Sequence, residues 1–206
     1  GSGGSCLAEP DSPVAKVSPS LAPGTVVPFG AGPPEPTVAW PDIVNCWLSE
    51  VQMLARKTMA HPNITFDLTS PNDRVHKSFR EVVDTGKVPY LDLDNPIKIT
   101  PSVDLFKVIL EVADRYAIQI TSFTTGCHGN RSPAACGDAD RLTASAHYQG
   151  RAVDYGYPNI EEITEYLHQN RDRLSITELF YDPLPSLNIP GTVGGHEDHG
   201  HFAVGG

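Results

Sequence analysis

From Ile43 onward the apolar residues fall first into helical and then into strand-like periods. Ile43, Val44, Trp47, Leu48, Val51 and Leu54 recur at helical spacing, which predicts an amphipathic helix over residues 42–60. Val75, Phe79, Val82 and Val83 mark a second helix over 72–85, with Gly86 where a C-terminal cap belongs. A third, over 103–116, turns Leu105, Val108, Ile109, Val112 and Tyr116 inward behind a capping Ser102. The period then drops to two: Ile118, Ile120 and Ser122 alternate with Gln119, Thr121 and Phe123, which predicts a strand. A polar loop containing Gly covers 125–144. A second strand runs over 150–155 until Gly156 breaks it, a helix covers 160–172, and strands follow over 176–181 and 199–204. Helices first, then strands interrupted by one helix, is the order of an α+β domain: a small, mainly antiparallel sheet with helices packed against it.

Ahead of this pattern no apolar periodicity is present. Residues 1–5 read as a cloning remnant. Residues 6–40 carry Pro10, Pro13, Pro19, Pro23, Pro28, Pro33, Pro34 and Pro36 among Ala, Ser, Gly and Val, a composition that favours extended linker over helix or sheet. The folded domain is therefore expected over 41–206.

Composition narrows the class. The chain has 206 residues and is 39% hydrophobic, which is enough for a core. No run approaches the roughly 18 apolar residues of a spanning helix. With 25 acidic and 15 basic residues the net charge is −10. Such a chain is repelled by phosphate backbones and anionic lipid, so nucleic acid is excluded as a partner class, and a monomer is expected. Cys127 and Cys136 flank a short Gly/Pro/Ala loop; a disulfide there would rigidify it by about 2–3 kcal/mol and implies an oxidising, extracytoplasmic compartment. Cys6 either pairs with Cys46 or, as the first residue of a mature lipoprotein, carries a lipid anchor on the Pro-rich tether.

The chemistry concentrates in two segments, Ser145 to Asp154 and His196 to Val204. Zinc in a hydrolytic site takes three protein ligands and keeps an open position, and imidazole and carboxylate both suit it. His147 and Asp154 are seven positions apart. On one helix they would sit about 10 Å apart along the axis, too far for one ion, so Gly150 must let the chain turn between them. His201 would arrive from the last strand, where His199 shares its face and Phe202 and Val204 turn to the core. Asp198, three residues before His201, and its neighbour Glu197 are the candidates for a general base.

Ser145-x-His147-x-x-Gly150-x-Ala152-x-Asp154 resembles, at every fixed position, the signature of the zinc peptidase superfamily of D-Ala-D-Ala carboxypeptidases and dipeptidases and phage L-Ala-D-Glu endolysins. His147-Tyr148-Gln149-Gly150-Arg151-Ala152-Val153-Asp154 is also similar to the zinc-site segment of hedgehog signalling domains, and His199-Gly200-His201 is similar to the third-ligand strand of both branches. The resemblance covers residues 100–206. It implies a zinc ion on His147, Asp154 and His201, a base at Asp198 where the family usually has Glu, and an oxyanion-steadying role for His199. It also implies hydrolysis of peptidoglycan peptides. Wall-cutting members often grip a carboxylate with an Arg on the strand before the motif; that stretch here is Ser122-Phe123-Thr124-Thr125-Gly126. Arg131 and Arg141 in the loop, with Ser145 and Tyr148, are then the candidate substrate contacts. Hedgehog domains keep the zinc cage and act through protein partners, so a binding module without hydrolytic activity is the alternative.

The cysteine reading has a direct check. Mass spectrometry of non-reduced protein from an oxidising host should find the Cys127 and Cys136 peptides linked; free thiols at both would count against the bond and against the extracytoplasmic reading.

Overall fold

In the computed structural model the described residues are 48–69, 73–90, 98–125 and 145–205. Residues 1–5, expected to be a remnant, 6–40, expected to be a linker, and 126–144, expected to be a loop, lie outside them, as do all four cysteines, Arg131 and Arg141. Of the two units into which the chain divides, Gly1–Ser49 falls almost wholly outside the described residues, and Glu50–Gly206 contains the elements described below.

Helix α1, Glu50–Ala60, is the C-terminal part of the expected 42–60 helix; Leu48 and Ser49 are not helical, and 42–47 lie outside the described residues. Strand β1, Ile64–Phe66, follows. In helix α2, Asp73–Thr85, the apolar stripe buries Val75, Phe79 and Val82. Gly86 ends α2 as expected: its φ is 74°, and its N–H donates to the Val82 carbonyl at 2.8 Å. Short strands β2, Val88–Pro89, and β3, Lys98–Ile99, pair antiparallel as a separate ribbon. Helix α3, Val103–Ala113, stops three residues before the expected 116. Ser102 stands at its N-cap, but the side chain makes no capping bond; instead its N–H donates to the Gly150 carbonyl at 2.8 Å, tying the helix start to the motif turn.

The remaining elements are strand β4, Ile118–Ser122, strand β5, Ala152–Gly156, helix α4, Ile160–Gln169, strand β6, Ile176–Phe180, a short 3-10 turn, Pro185–Leu187, and strand β7, Gly200–Val204. The four strands and the helix each lie within a few residues of their expected bounds; the 3-10 turn was not expected. Gly156 closes β5 from inside rather than breaking it. The five-stranded sheet has the order β1-β4-β5-β7-β6; β1 runs parallel to β4, and every other neighbour is antiparallel. The architecture is α+β with a mainly antiparallel sheet, as the order of periods implied.

Register sorts the two faces of the sheet. Residues directly opposite in an antiparallel pair share a face. Asp154 pairs with His201, Ala152 with Ala203, Glu178 with Ala203 and Phe180 with His201, which sets these six on one face. Val153, Tyr155, Leu179, Phe202 and Val204 take the other. They join Val108, Val112, Ile163 and Leu167 of the helices in one buried core. A register shift between Ile120 and Ser122 interrupts the alternation of β4. That shift explains why Phe123 ends in the core together with Ile118 and Ile120. Its ring lies 4.7 Å from Phe79 and 6.2 Å from Phe106, centroid to centroid. Each such ring contributes about 2–3 kcal/mol by burial, so this trio holds the end of β4 firmly against α2 and α3.

A surface network joins α3 to the turn after α4. Glu111 accepts from Arg173 and from Tyr166. The Arg173 hydrogen bond, opposed by burial and aided by Tyr166, holds the Glu111 carboxyl down at about 2. A depressed carboxylate stabilises the fold above its ordinary pKa and loses that contribution as pH falls from about 4.5 toward 2. Both partners are substantially exposed, so screening keeps the effect small. Glu111→Gln should lower the Tm at pH 7 by about 2 °C, and the difference should shrink steadily below pH 4.5. A difference that grows on acidification would refute the assignment.

Candidate metal centre

His147 is carried by a tight turn. The Tyr148 N–H donates to the Ser145 carbonyl, the Gly150 N–H to the His147 carbonyl and the Arg151 N–H to the Ala146 carbonyl, at 3.1, 2.9 and 3.1 Å. Gly150 is required there twice over. Its φ is +68°, and a Cβ would lie 2.8 Å from the Pro101 Cα. Asp154 and His201 then meet from neighbouring strands in direct register. Gly200 is required as well, since a Cβ at that position would run into the Tyr155 ring. Only glycine fits between the two histidines. Tyr155 itself is fully buried, hydrogen-bonded to Thr164 at 2.6 Å and held neutral by burial.

The three side chains converge. His147 Nε2 lies 3.0 Å from His201 Nδ1 and 3.2 Å from Asp154 Oδ1, and His201 Nδ1 lies 2.9 Å from that same Oδ1. All three residues are buried. The partners of the other ring nitrogens decide what these atoms are. His147 Nδ1 sits 2.6 Å from the Phe123 carbonyl, and His201 Nε2 sits 2.9 Å from Glu178 Oε2. A carbonyl and a carboxylate can only accept, so each of those nitrogens carries the hydrogen. In the neutral imidazoles the lone pairs of His147 Nε2 and His201 Nδ1 therefore face Asp154 Oδ1.

Three acceptors that close, out of water, repel one another unless a positive centre sits among them. Without a metal, a proton serves. Burial opposes a charged His201, but hydrogen bonds with Asp154 and Glu178 prevail and raise it to about 9. Burial likewise opposes an ionised Asp154, yet the charges and hydrogen bonds of His147 and His201 hold its carboxyl well below the usual range. Glu178 is also lowered, by its bond to His201 against burial. A four-coordinate ion with bonds of about 2.0–2.2 Å spaces its ligands about 3.3–3.6 Å apart; the observed edges of 3.0, 3.2 and 2.9 Å are all shorter, so the three atoms would spread by about 0.1–0.7 Å to take one up. The His147, Asp154 and His201 group can hold a metal ion.

Glu197, Asp198 and His199 are less buried. His199 lies on the bend before β7, not within the strand as expected, and its Nε2 still comes within 4.0 Å of Asp154 Oδ2. Its Nδ1–H donates to Asp198 Oδ1 at 2.7 Å. The Asp198 side chain is 87% exposed, and its carboxyl is lowered chiefly by that bond. Glu197 is exposed too. Tyr148 is buried, with its ring 6.2 Å from Tyr90, and Ser145 contributes its carbonyl to the motif turn. Arg131 and Arg141 lie outside the described residues.

Two neighbours escaped sequence reasoning as site residues. Glu178 sits in a strand with no motif around it, and only the β6–β7 register reveals it. His196 packs its ring 5.2 Å from Phe180 and 5.1 Å from His199; the Asp182 N–H donates to its carbonyl, and its own N–H donates to the Asp182 carboxylate at 2.9 Å. Burial and the nearby His201 lower its pKa. Its membership of the His-rich segment was the available signal. No family model matches this chain, and neither a curated protein nor a solved structure does.

One divalent ion should bind per folded chain. His147→Ala and His201→Ala should each abolish stoichiometric binding, because two remaining ligands make a poor site. Full occupancy in both variants, measured by metal analysis after dialysis, would refute the centre.

Proposed function

We propose that this chain is a zinc-dependent peptidase that hydrolyses peptide bonds of bacterial peptidoglycan, of the D-Ala-D-Ala or L-Ala-D-Glu type, in an extracytoplasmic setting. The observation that carries the reading is the buried convergence of His147 Nε2, Asp154 Oδ1 and His201 Nδ1, at 2.9–3.2 Å, on the residues of the two motifs. A donor set of two imidazoles and one carboxylate suits zinc and leaves a fourth position for substrate chemistry. Zinc there would supply a Lewis acid for the scissile carbonyl and bring the pKa of a water to about 7.

The chain's own residues handle the proton. Since the Nδ1–H of His199 goes to Asp198, the Nε2 lone pair is the one nearer Asp154. In this arrangement His199 accepts the proton of the attacking water and Asp198 orients and stabilises the imidazolium. The proton then passes to the leaving amine. A charged His199 also steadies negative charge that develops on the carbonyl oxygen. Asp198 acting as the direct base, with His199 only steadying the oxyanion, is the other division of labour within the same pair. The exposure of Asp198 favours one second reading, a hedgehog-like module that keeps zinc and binds a partner without hydrolysis.

Purified peptidoglycan should lose intact stem peptide to the zinc-loaded protein and not to chelated protein. Asp198→Ala and His199→Ala should retain zinc, with turnover falling about 100- to 10,000-fold in the His199 variant, while Glu197→Ala should stay near the parent. If Asp198 acts through His199, the double variant costs no more than His199→Ala alone; an added loss assigns the direct base to Asp198. A fully zinc-loaded parent that cuts no wall peptide would leave the binding module as the reading.

A further inference from the structure

We propose that Glu178 is a positioning residue of the metal centre: its carboxylate selects the Nδ1 face of His201 as the ligating face and supplies the second negative charge that suits the cage to a divalent cation. This rests on the metal reading above. A histidine on a strand can offer either ring nitrogen, and the one that keeps its lone pair is set by where the other sends its hydrogen. Here the Nε2–H is committed to Glu178 Oε2 at 2.9 Å, so the lone pair of Nδ1 is turned to Asp154 and His147.

Strand β6 supports the same ring twice. Phe180, two residues after Glu178, stacks on His201 with centroids 5.1 Å apart and planes 18° apart. The stack fixes the plane of the imidazole, and Glu178 fixes its rotation within that plane. A half-turn about the Cβ–Cγ bond would bring carbon atoms where both nitrogens now make their contacts. Both residues reach the ring because β6 and β7 are in register at Phe180 and His201 and at Glu178 and Ala203, where the alanine leaves room. The Arg151 guanidinium ties the two strands together beside this pair, donating to Thr177 Oγ1 and to the Val204 carbonyl at 3.1 and 2.7 Å. Asp154 and Glu178 together carry two negative charges, which match one dication. A carboxylate behind a ligating histidine typically changes metal affinity about 10- to 100-fold.

Zinc affinity by competition with a chromophoric chelator, and the visible absorption of the cobalt-substituted protein, test this without reference to hydrolysis. Glu178→Ala should weaken zinc binding about 10- to 100-fold and shift the cobalt bands. Glu178→Gln, which keeps an acceptor oxygen but no charge, should show a smaller loss and a cobalt spectrum closer to the parent. Thermal melting of the metal-free variants separates these effects from unfolding. Zinc affinity within twofold of the parent in Glu178→Ala overturns the proposal. Should that variant fail to fold, unchanged affinity in Glu178→Gln overturns it instead. A parent that binds no zinc defeats this inference and the peptidase reading together. One that binds zinc without hydrolysing wall peptide defeats the peptidase reading alone.

Discussion

Three acceptor atoms held about 3 Å apart in a buried place are unfavourable by themselves, and much of this domain is arranged to keep them there. The repulsion is relieved by a positive centre, a proton in the bare protein or a metal ion, so the cage is a stored demand for a cation. The demand depends on two groups that are not part of the cage. The Phe123 carbonyl takes the Nδ1–H of His147, and Glu178 takes the Nε2–H of His201. Phe123 also places its ring in the core against Phe79 and Phe106. One residue thus links core packing to the orientation of a ligand, and whatever loosens the aromatic trio also moves the carbonyl that sets the His147 tautomer.

Space is the second constraint. The functional face of the sheet carries Ala152 and Ala203 beside Asp154 and His201, and Ala146 packs with them. Small residues let ring and carboxylate side chains lean together without clash. Gly150 and Gly200 serve the same end from the backbone: the first admits a left-handed turn against Pro101, the second makes way for the Tyr155 ring. Much of the motif spacing is thus about room, and only His147 and Asp154 within it offer metal-binding atoms.

Long periodic segments were legible because each carries its own evidence. Residues 73–85 and 103–113 have enough turns for an apolar stripe to stand out, and β5, β6 and β7 are long enough to show their place. Strands β1, β2 and β3 were missed, since two or three residues hold no period to count. The register shift in β4 was also invisible: an extra residue in one strand is defined only against its partner. Ser102 shows the limit of capping rules. The position was legible, but its backbone N–H is used for a long-range bond to Gly150 and its side chain makes no cap.

The sequence by itself determined the fold class and the helices that the apolar stripes of 73–85 and 103–113 form, because those rest on local period; what singled out His147, Asp154 and His201 among the histidines and carboxylates was the resemblance carried by their two motifs. Tertiary structure decided the rest. The register of β5, β6 and β7 brings Asp154, His201, Glu178 and Phe180 onto one face, turns each imidazole's lone pair inward, and sets His199 between the cage and an exposed Asp198. The physical reason is range. A tautomer depends on which acceptor lies across from a ring nitrogen, and for His147 and His201 those acceptors are Phe123 and Glu178, each more than twenty residues away in the chain and adjacent only once the sheet has formed.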